Sequence, residues 1–464
     1  MEELNVYSPL STFRDPAGSV EIRPEGAFRS VQRSYAADVI AFLETPVSTK
    51  LVADGRIVAS EVLQADVKDE TLRLRHPRIS FRSYPWEWSP SLWLSAAELT
   101  LDLCSELLED GWILKDATPL NVLFQGTQPI FVDLLSVQRL DATRPLWLAY
   151  GQFVRTFLLP MVAHSQLGWP LHSMLMRRDG FEPEEIYSAL SWPRRLRRPA
   201  LTSVTLPRFL ASSGSKIASE VASRKVDDPE ITKVVIGKTL SKLRLDMKQA
   251  MPVSRRSTWS DYAETASHYN TDDHADKRSF VREALTACRP VRVLDIGCNT
   301  GVYSRLAADS GAEVVSIDTD ISAVDRLCVD VAQSGKTILP LCVDLAHPTP
   351  SAGWENRETV SFLDRCHGHF DTVLMLAVIH HLLLSSQIPL GHIASLCSRV
   401  TTRNLIVEWV PPTDIKFIEV LRGREAIYKH INEGTFRAAF AQHFDTVRET
   451  TLRNGRILLH LERR

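Results

Sequence analysis

No Cys-X-X-Cys pair occurs among the seven cysteines of this 464-residue chain, and their number is odd. A disulfide framework and a structural zinc site are therefore disfavoured, and reduced thiols in a cytoplasmic protein are expected. No apolar run is long enough to span a bilayer, since residues 373–384 are interrupted by His380 and His381. The first ten residues carry acid where a secretory signal carries base. We expect a soluble, cytoplasmic protein without a membrane partner.

Neither sign of charge prevails over the chain as a whole. The 54 lysines and arginines are balanced by 56 aspartates and glutamates, so a nucleic-acid partner is unlikely on electrostatic grounds. Residues 193–199, Pro-Arg-Arg-Leu-Arg-Arg-Pro, are a local exception. They are interpreted as a phosphate or RNA contact or as an exposed connector. The lack of aromatic residues between the arginines favours the connector.

Three regions differ in their hydrophobic pattern. Residues 1–180 mix strand-like and helical segments and hold six of the ten tryptophans, which indicates a core of their own. Residues 181–255 are mainly helical and basic, as in a connector. In residues 256–464 apolar strands alternate with glycine turns and helices, which predicts a doubly wound α/β domain with a parallel sheet.

The strongest motif of this last region is residues 291–301, Val-Arg-Val-Leu-Asp-Ile-Gly-Cys-Asn-Thr-Gly. An apolar strand runs into a turn between Gly297 and Gly301, and a helical segment follows. Glycine permits a tight turn, and the amino end of a helix offers unpaired N–H groups to a nucleotide-like ligand. The third glycine of the dinucleotide fingerprint is absent, since Val302, Tyr303 and Ser304 follow Gly301, so a dehydrogenase-like dinucleotide site is disfavoured.

Two aspartates end the next strands along the chain. Asp318 closes the segment 312–318 and can accept the two hydroxyls of a ribose. Asp344 closes the segment 338–344 and suits the exocyclic amine of adenine. Taken singly, each of these aspartates is equally well explained as a helix cap or turn residue. Since the carboxyl ends of parallel strands meet at one edge, we expect the aspartates to lie together.

With segment 370–382, these motifs resemble the class I S-adenosylmethionine-dependent methyltransferases. The matching strings are VLDIGCNTG, SIDTD, CVDL and FDTVLMLAVIHHL, in this order. The resemblance implies a Rossmann-like sheet of seven strands closed by an antiparallel pair, for which residues 441–448 and 456–462 are the candidates. It also implies S-adenosyl-L-methionine as cofactor, surrounded by Asp295, Gly297, Cys298, Asn299, Gly301, Asp318, Asp344 and Ala377.

Methyl transfer to a hydroxyl requires a group that removes its proton, and a neutral histidine suits this at physiological pH. His380 and His381 follow the fourth strand and are the candidate bases; the alternative is that they cap and pack the next helix. Glu408, at the end of the fifth strand, is a further catalytic candidate or a residue that bonds to a neighbouring loop. No Asn-Pro-Pro-Tyr or Asp-Pro-Pro-Tyr tetrad follows the fourth strand, which disfavours methylation of amino groups of bases or glutamine.

Residues 110–133 carry a second motif, in which Asp116 is followed by Asn121 and then by Asp133. This spacing resembles the catalytic loop of the protein kinase and aminoglycoside phosphotransferase fold. The resemblance implies an α+β kinase-like domain over residues 1–180, with Asn121 and Asp133 as Mg²⁺ ligands. Leu134 replaces the expected Phe after the last aspartate, and no glycine-rich phosphate loop is present in residues 1–60. An unrelated fold therefore stays open.

Taken as a whole, the chain is similar to bacterial methyltransferases related to a rhizobial host-specific nodulation protein, which implies a glycan or small-metabolite acceptor. We predict an O-methyltransferase whose first region contributes acceptor or partner binding. An RNA or protein methyltransferase, a bifunctional methyltransferase and phosphotransferase, and a cofactor-binding scaffold without turnover are the alternatives. Trp259, Tyr262 and Tyr269 are expected to form a lid over the cofactor or to pack on the sheet.

Overall fold

The structure is a computed structural model, and it describes residues 12, 14–66, 71–212, 225–253 and 271–464. The chain divides into two compact units. Unit 1 comprises residues 1–255 together with the short segment 353–358. Unit 2 comprises residues 256–352 and 359–464. The predicted basic connector, residues 181–255, belongs to unit 1.

Unit 1 opens with an antiparallel sheet of four strands in the order β1-β2-β4-β3. Two helices connect its second and third strands. The elements are β1 Gly18–Arg23, β2 Gly26–Gln32, α1 Arg33–Leu43, α2 Pro46–Ala53, β3 Glu61–Asp66 and β4 Thr71–His76.

The rest of unit 1 is arranged around the helix α3, Pro90–Glu109. The Ser89 side chain caps this helix by accepting from the Leu92 N–H, which satisfies one of its free amino-terminal donors. Trp93 is fully buried, and its indole N–H donates to the Phe157 carbonyl at 3.0 Å. Two small antiparallel pairs, β5 with β8 and β6 with β7, follow. Their bounds are β5 Trp112–Leu114, β6 Val122–Gln125, β7 Gln128–Phe131 and β8 Val137–Arg139.

Helices complete unit 1. They are α4 Tyr150–Phe153, α5 Leu159–Val162, α6 Pro183–Ala189, α7 Trp192–Arg195, α8 Leu206–Ser212 and α9 Pro229–Ala250, with π-helical turns at Val154–Leu158, Ala163–Leu167 and Leu201–Thr205. The kinase-like assignment of this unit stays a prediction.

Unit 2 contains a sheet of seven strands in the order β11-β10-β9-β12-β13-β15-β14. The first five in this order are parallel, and β15 pairs antiparallel with both β13 and β14. The predicted α/β sheet with a closing antiparallel pair is thereby confirmed. The strands are β9 Arg292–Ile296, β10 Glu313–Asp318, β11 Ile338–Cys342, β12 Phe370–Met375, β13 Thr401–Trp409, β14 Phe444–Thr451 and β15 Ile457–Arg463.

Helices cover this sheet because its central strands are apolar on both faces, as in other parallel sheets. The helices are α10 Thr271–Cys288, α11 Val302–Asp309, α12 Ile321–Ser334, α13 Phe362–Cys366, α14 Ile379–Leu384, α15 Leu390–Val400, α16 Ile415–Leu421 and α17 Glu433–Phe440. Among the described residues, no helix combines the length and apolar character that a bilayer crossing requires.

The strand order places a topological switch point at β9. From β9 the chain adds β10 and β11 on one side, and then returns to add β12 and β13 on the other. In open parallel sheets of this kind, ligands bind outside the carboxyl ends of the strands at the point where the order reverses. The fold therefore locates the candidate crevice beyond the ends of β9, β10 and β12.

Candidate functional site

The turn after β9 contains two positions whose backbone conformation and close side-chain neighbours require glycine. Gly297 and Gly301 have φ of +72° and +77°, in the left-handed region. A Cβ at Gly297 would lie 2.3 Å from Val378 Cγ2, and one at Gly301 would lie 2.3 Å from Leu327 Cδ1. The Gly297 N–H donates to the Ile317 carbonyl at 2.9 Å, which fixes the turn against β10. The glycines are thus needed for packing within the protein.

Asp318 connects the tip of β10 to this turn. One carboxylate oxygen accepts from the Asn299 N–H at 2.8 Å, and the other accepts from the Asp320 N–H at 2.9 Å. A carboxylate oxygen can accept more than one hydrogen bond, so capacity remains for the two hydroxyls of a ribose. Burial raises the pKa of Asp318. The remaining acceptor capacity of this carboxylate fits the ribose of an adenosyl ligand.

Asp295, at the end of β9, is 2% exposed. The Ser304 hydroxyl, on α11, donates to its carboxylate at 2.6 Å. Burial raises the pKa of Asp295 to about 6, and the nearby Asp318 carboxylate adds to this, whereas the Ser304 hydrogen bond and Lys277 oppose it. A buried carboxylate whose donors come only from the hydroxyl and backbone N–H of Ser304 among the described residues is a costly arrangement that positively charged ligand groups would relieve.

Asp344 lies two residues beyond the end of β11. Its carboxylate accepts from the Ala346 N–H at 2.8 Å and lies 2.9 Å from Nδ1 of the exposed His347. The Val343 N–H donates to the Asp318 carbonyl at 3.0 Å, which places the two predicted ligand carboxylates on neighbouring strand ends. Asp344 is exposed and so accessible to a ligand.

The segment after β12 approaches the same turn, as the proximity of Val378 and Gly297 shows. Ala377 has φ of +57°, an unusual conformation for a residue with a Cβ, and such strain is concentrated at functional sites. The turn contains a second such residue, Asn299, with φ of +48°. Cys298, between the glycines, is buried. The structure therefore brings the turn and the end of β12 together.

His380 and His381 begin α14 with their ring centroids 4.1 Å apart. His380 is 3% exposed, and burial, aided by His381 and Lys277, lowers its pKa to about 3. Its Nδ1 has no hydrogen-bond partner among the described residues. His381 is half-buried, and burial lowers its pKa as well, with Lys416 adding to the effect. Both rings are therefore neutral near pH 7.

Comparison with known proteins agrees with this geometry. A family model described as "Methyltransferase domain" matches residues 264–447. The chain is 32% identical over 444 residues to nodulation protein NoeA of Rhizobium meliloti (strain 1021), covering 93% of this chain and 90% of that protein. The chain is a class I S-adenosylmethionine-dependent methyltransferase of the NoeA family.

Two solved methyltransferase structures are similar to part of this methyltransferase. The N-methyltransferase NodS from Bradyrhizobium japonicum WM9 is 13% identical with a TM-score of 0.30, covering 42% of this chain and 98% of NodS. Magnesium protoporphyrin IX methyltransferase ChlM from Synechocystis PCC 6803, with bound SAH, is 19% identical with a TM-score of 0.31. That match covers 44% of this chain and 97% of ChlM.

Glu408 of the methyltransferase is fully buried within an ionic cluster. Lys277, from α10, forms an ion pair with one carboxylate oxygen, and Arg456 Nη1 donates to the other at 3.2 Å. Arg456 also donates to both oxygens of Asp414 at 2.7 and 3.1 Å. We call these four residues the buried ionic cluster. Since both oxygens of Glu408 are engaged, the geometry supports its structural alternative, and its catalytic role stays a prediction.

The predicted metal ligands of unit 1 are close together but face nitrogen donors. Asp133 accepts from Arg29 Nη1 at 3.0 Å and from the Asn121 amide at 3.3 Å. The guanidinium of Arg29, which is 7% exposed, also donates to the Val132 carbonyl at 2.9 Å. No group of three or more His, Cys, Asp or Glu able to hold a metal ion is found in the described part of the chain. These contacts do not fit a Mg²⁺ site.

Several residues of the site carry no signal in the linear sequence. Ser304 is nine residues from Asp295 and meets it only because α11 folds back over β9. Lys277, Arg456 and Asp414 come from segments far apart in the chain, and only the sheet brings them to Glu408. Trp259, Tyr262 and Tyr269, the predicted lid, lie outside the described residues.

Proposed function

We propose that this methyltransferase transfers a methyl group to a hydroxyl of a small or sugar-containing acceptor. We further propose that unit 1 contributes acceptor or partner binding. The second part is supported by the 93% coverage in the NoeA match, because the similarity to that protein extends through unit 1 as well as the methyltransferase domain. The sugar-containing class is the one that the similarity to a nodulation protein favours.

The proposal of a hydroxyl acceptor rests on the position and protonation of His381. It is half-buried beside the end of β12, it is neutral near pH 7, and it follows the residues that pack on the glycine turn. A neutral imidazole can accept the proton that a hydroxyl loses when it attacks. His380 is less suited to this role, because its pKa of about 3 makes the protonated ring costly.

When bound, S-adenosylmethionine supplies a methyl group activated by an adjacent sulfonium. The chain contributes positioning: Asp318 would hold the ribose, Asp344 the adenine amine, and the turn 295–301 the methionine portion. The acceptor hydroxyl must lie in line with the methyl carbon, so precise placement provides much of the acceleration. His381 would then take the hydroxyl proton as the new C–O bond forms.

The test is the identity of the methylated atom and its dependence on His381. The full chain is incubated with S-adenosylmethionine and a panel of oligosaccharides and hydroxylated small molecules, and products are identified by mass spectrometry. His381→Gln should lower kcat by about 10²- to 10⁴-fold while the affinity for S-adenosylhomocysteine is retained. His392→Gln, at an exposed histidine on α15, is the matched control and should leave kcat unchanged.

Two results would oppose the proposal. A methylated amine as the only product would rule out the hydroxyl acceptor. An unchanged kcat and pH profile in His381→Gln would remove the role of this residue as a base. The bifunctional alternative is not favoured by the structure, because Arg29 and Asn121 engage both oxygens of Asp133.

A further inference from the structure

A short, strongly exposed segment of unit 1 lies far in sequence from the methyl-transfer residues. Ser191, Trp192, Pro193, Arg194, Leu196, Arg197 and Arg198 are all exposed, and only Arg195 among residues 191–198 is half-buried. Trp192 is 71% exposed and Leu196 is 49% exposed. We call residues 191–198 the Trp192 surface. It presents two large apolar side chains, four residues apart in the chain, to solvent.

The Trp192 surface is held in place by packing on its neighbours. Arg195 and Arg208 lie over the Tyr187 ring, with guanidinium carbons 4.1 and 4.2 Å from the ring centroid. The Thr205 hydroxyl donates to the Arg195 carbonyl at 2.8 Å, which brings the start of α8 beside α7. Leu206, the first residue of α8, is 47% exposed and adds a third apolar side chain.

The charge of this region is of one sign. Five arginines lie between residues 191 and 212, and the same span contains no aspartate or glutamate. The chain as a whole carries a net charge of −2, so the concentration of positive charge is local. Glu182 and Glu185, at the start of α6, are engaged by Arg155 and Arg177. Two further acids lie nearby, since Glu184 on α6 is exposed and Asp246 on α9 interacts electrostatically with Arg198, but the five arginines outnumber them. The surface is therefore complementary to a dense layer of negative charge.

The combination of tryptophan, leucine and arginine side chains favours a lipid bilayer as the negatively charged layer. Tryptophan favours the boundary between lipid chains and headgroups, where its apolar ring and its N–H are both satisfied. Leucine gains free energy when it enters the acyl region, and arginine pairs with anionic headgroups. A nucleic acid would use the arginines and could stack on Trp192, but it offers nothing to Leu196 and Leu206.

We propose that the Trp192 surface, with Leu206 and Arg208, docks on the surface of a bilayer that contains anionic phospholipid. The contact is peripheral and places no helix across the membrane. The sequence predicts no membrane partner because it lacks a spanning segment, but interfacial binding does not require one. Docking would bring the methyltransferase to acceptors that reside at or near a membrane.

The test is sedimentation of the full chain with vesicles of phosphatidylglycerol and phosphatidylcholine, compared with vesicles of phosphatidylcholine alone. We expect binding to the anionic vesicles, and we expect added salt to weaken it. The variant Arg197→Gln/Arg198→Gln should bind roughly 30-fold more weakly, from about one factor of five per arginine. Trp192→Ser/Leu196→Ser should lose at least about tenfold. Leu148→Ser, at a leucine of unit 1 that is 64% exposed, is the matched control and should bind normally.

A spectroscopic reading gives independent support. The difference between the emission spectra of the parent chain and Trp192→Phe isolates one tryptophan, and it should shift to shorter wavelength when anionic vesicles are added. Methyl transfer to a soluble acceptor should be unchanged in all four variants, since none of the substituted residues belongs to the methyl-transfer site.

Three results would overturn the proposal. The first is equal binding to both kinds of vesicle, or to neither. The second is preferential binding of single-stranded RNA that the arginine variants abolish, without binding to vesicles. The third is self-association of the chain that Trp192→Ser/Leu196→Ser removes, since a second copy would then be the occupant of this surface.

Discussion

Replacing Asp295 by asparagine should stabilise the methyltransferase domain and weaken its cofactor binding at the same time. The side chain is 2% exposed, and the donors described for its carboxylate are the hydroxyl and the backbone N–H of one residue, Ser304. Asparagine keeps an oxygen that can accept from Ser304 and removes the buried charge. The pKa rises from 3.8 to about 6, which corresponds to roughly 3 kcal/mol between the two protonation states.

The gain should depend on pH in a defined direction. Well below pH 4 the carboxyl is protonated in both the folded and the unfolded chain, so its ionisation costs no stability. As the pH rises towards 6 the unfolded chain ionises freely and the folded chain does not, so the stability of the parent protein falls. Above pH 6 the loss stays near its full value. Asp295→Asn lacks this group, so its advantage should be small at pH 4 and largest at pH 8.

The measurement is urea-induced unfolding at pH 4, 6 and 8, read by pulse hydrogen exchange on peptides from β9 and β12, which isolates this sheet from unit 1. Asp330→Asn, at an exposed aspartate on α12, is the control and should show no such trend. Calorimetry with S-adenosylmethionine should show weaker binding to Asp295→Asn. The positively charged groups of the ligand would stabilise a buried carboxylate and would not stabilise an amide in the same way.

An unfolding free energy that is equal in Asp295→Asn and the parent chain at all three pH values would refute this reasoning. A variant that is less stable at pH 8 would do the same, because the carboxylate would then be a stabilising group. Unaltered affinity for the cofactor, combined with the expected gain in stability, would leave the burial argument intact and remove Asp295 from the binding site.

Three further outcomes are expected. Glu408→Gln should lower the unfolding free energy by about 3–5 kcal/mol in urea titrations, because two buried cations lose their shared carboxylate. The control Glu433→Gln removes a carboxylate from an exposed ion pair and should cost at most about 1 kcal/mol. Gly301→Ala should cost about 2–4 kcal/mol in thermal unfolding, against about 1 kcal/mol for Gly311→Ala, whose added Cβ meets open space. Asp318→Ala should weaken S-adenosylhomocysteine binding by at least about tenfold in calorimetry.

The parallel sheet and its ligand edge were accessible from the sequence, because strand-forming runs, glycine turns and terminal acids repeat in a regular order. The closing pair was also predictable, and β14 and β15 lie within three residues of the expected segments. The burial of individual residues was not predictable from the sequence. Nothing in a linear motif shows that His380 is buried while His381 is half-exposed, since both follow the same strand.

Long-range contacts were the second limit. Glu408 resembles a catalytic acid when it is considered by its position at a strand end, and only the fold shows Lys277 and Arg456 on its two oxygens. The same holds for Asp133. Its spacing from Asn121 predicts a metal ligand, whereas Arg29, about one hundred residues earlier in the chain, supplies the neutralising charge. The spacing of a motif predicts contacts between residues that are close in the sequence, and it does not predict contacts with residues far away in the chain.

The buried ionic cluster affects how the stability of the methyltransferase domain depends on salt and temperature. Its four side chains are between 0% and 7% exposed, so dissolved ions do not reach them and high salt should not loosen the ends of α10 and β13. The hydration that these charges give up becomes less favourable as temperature rises, while their mutual attraction persists. The cluster should therefore hold these elements together more effectively in a warm cell than in a cold one.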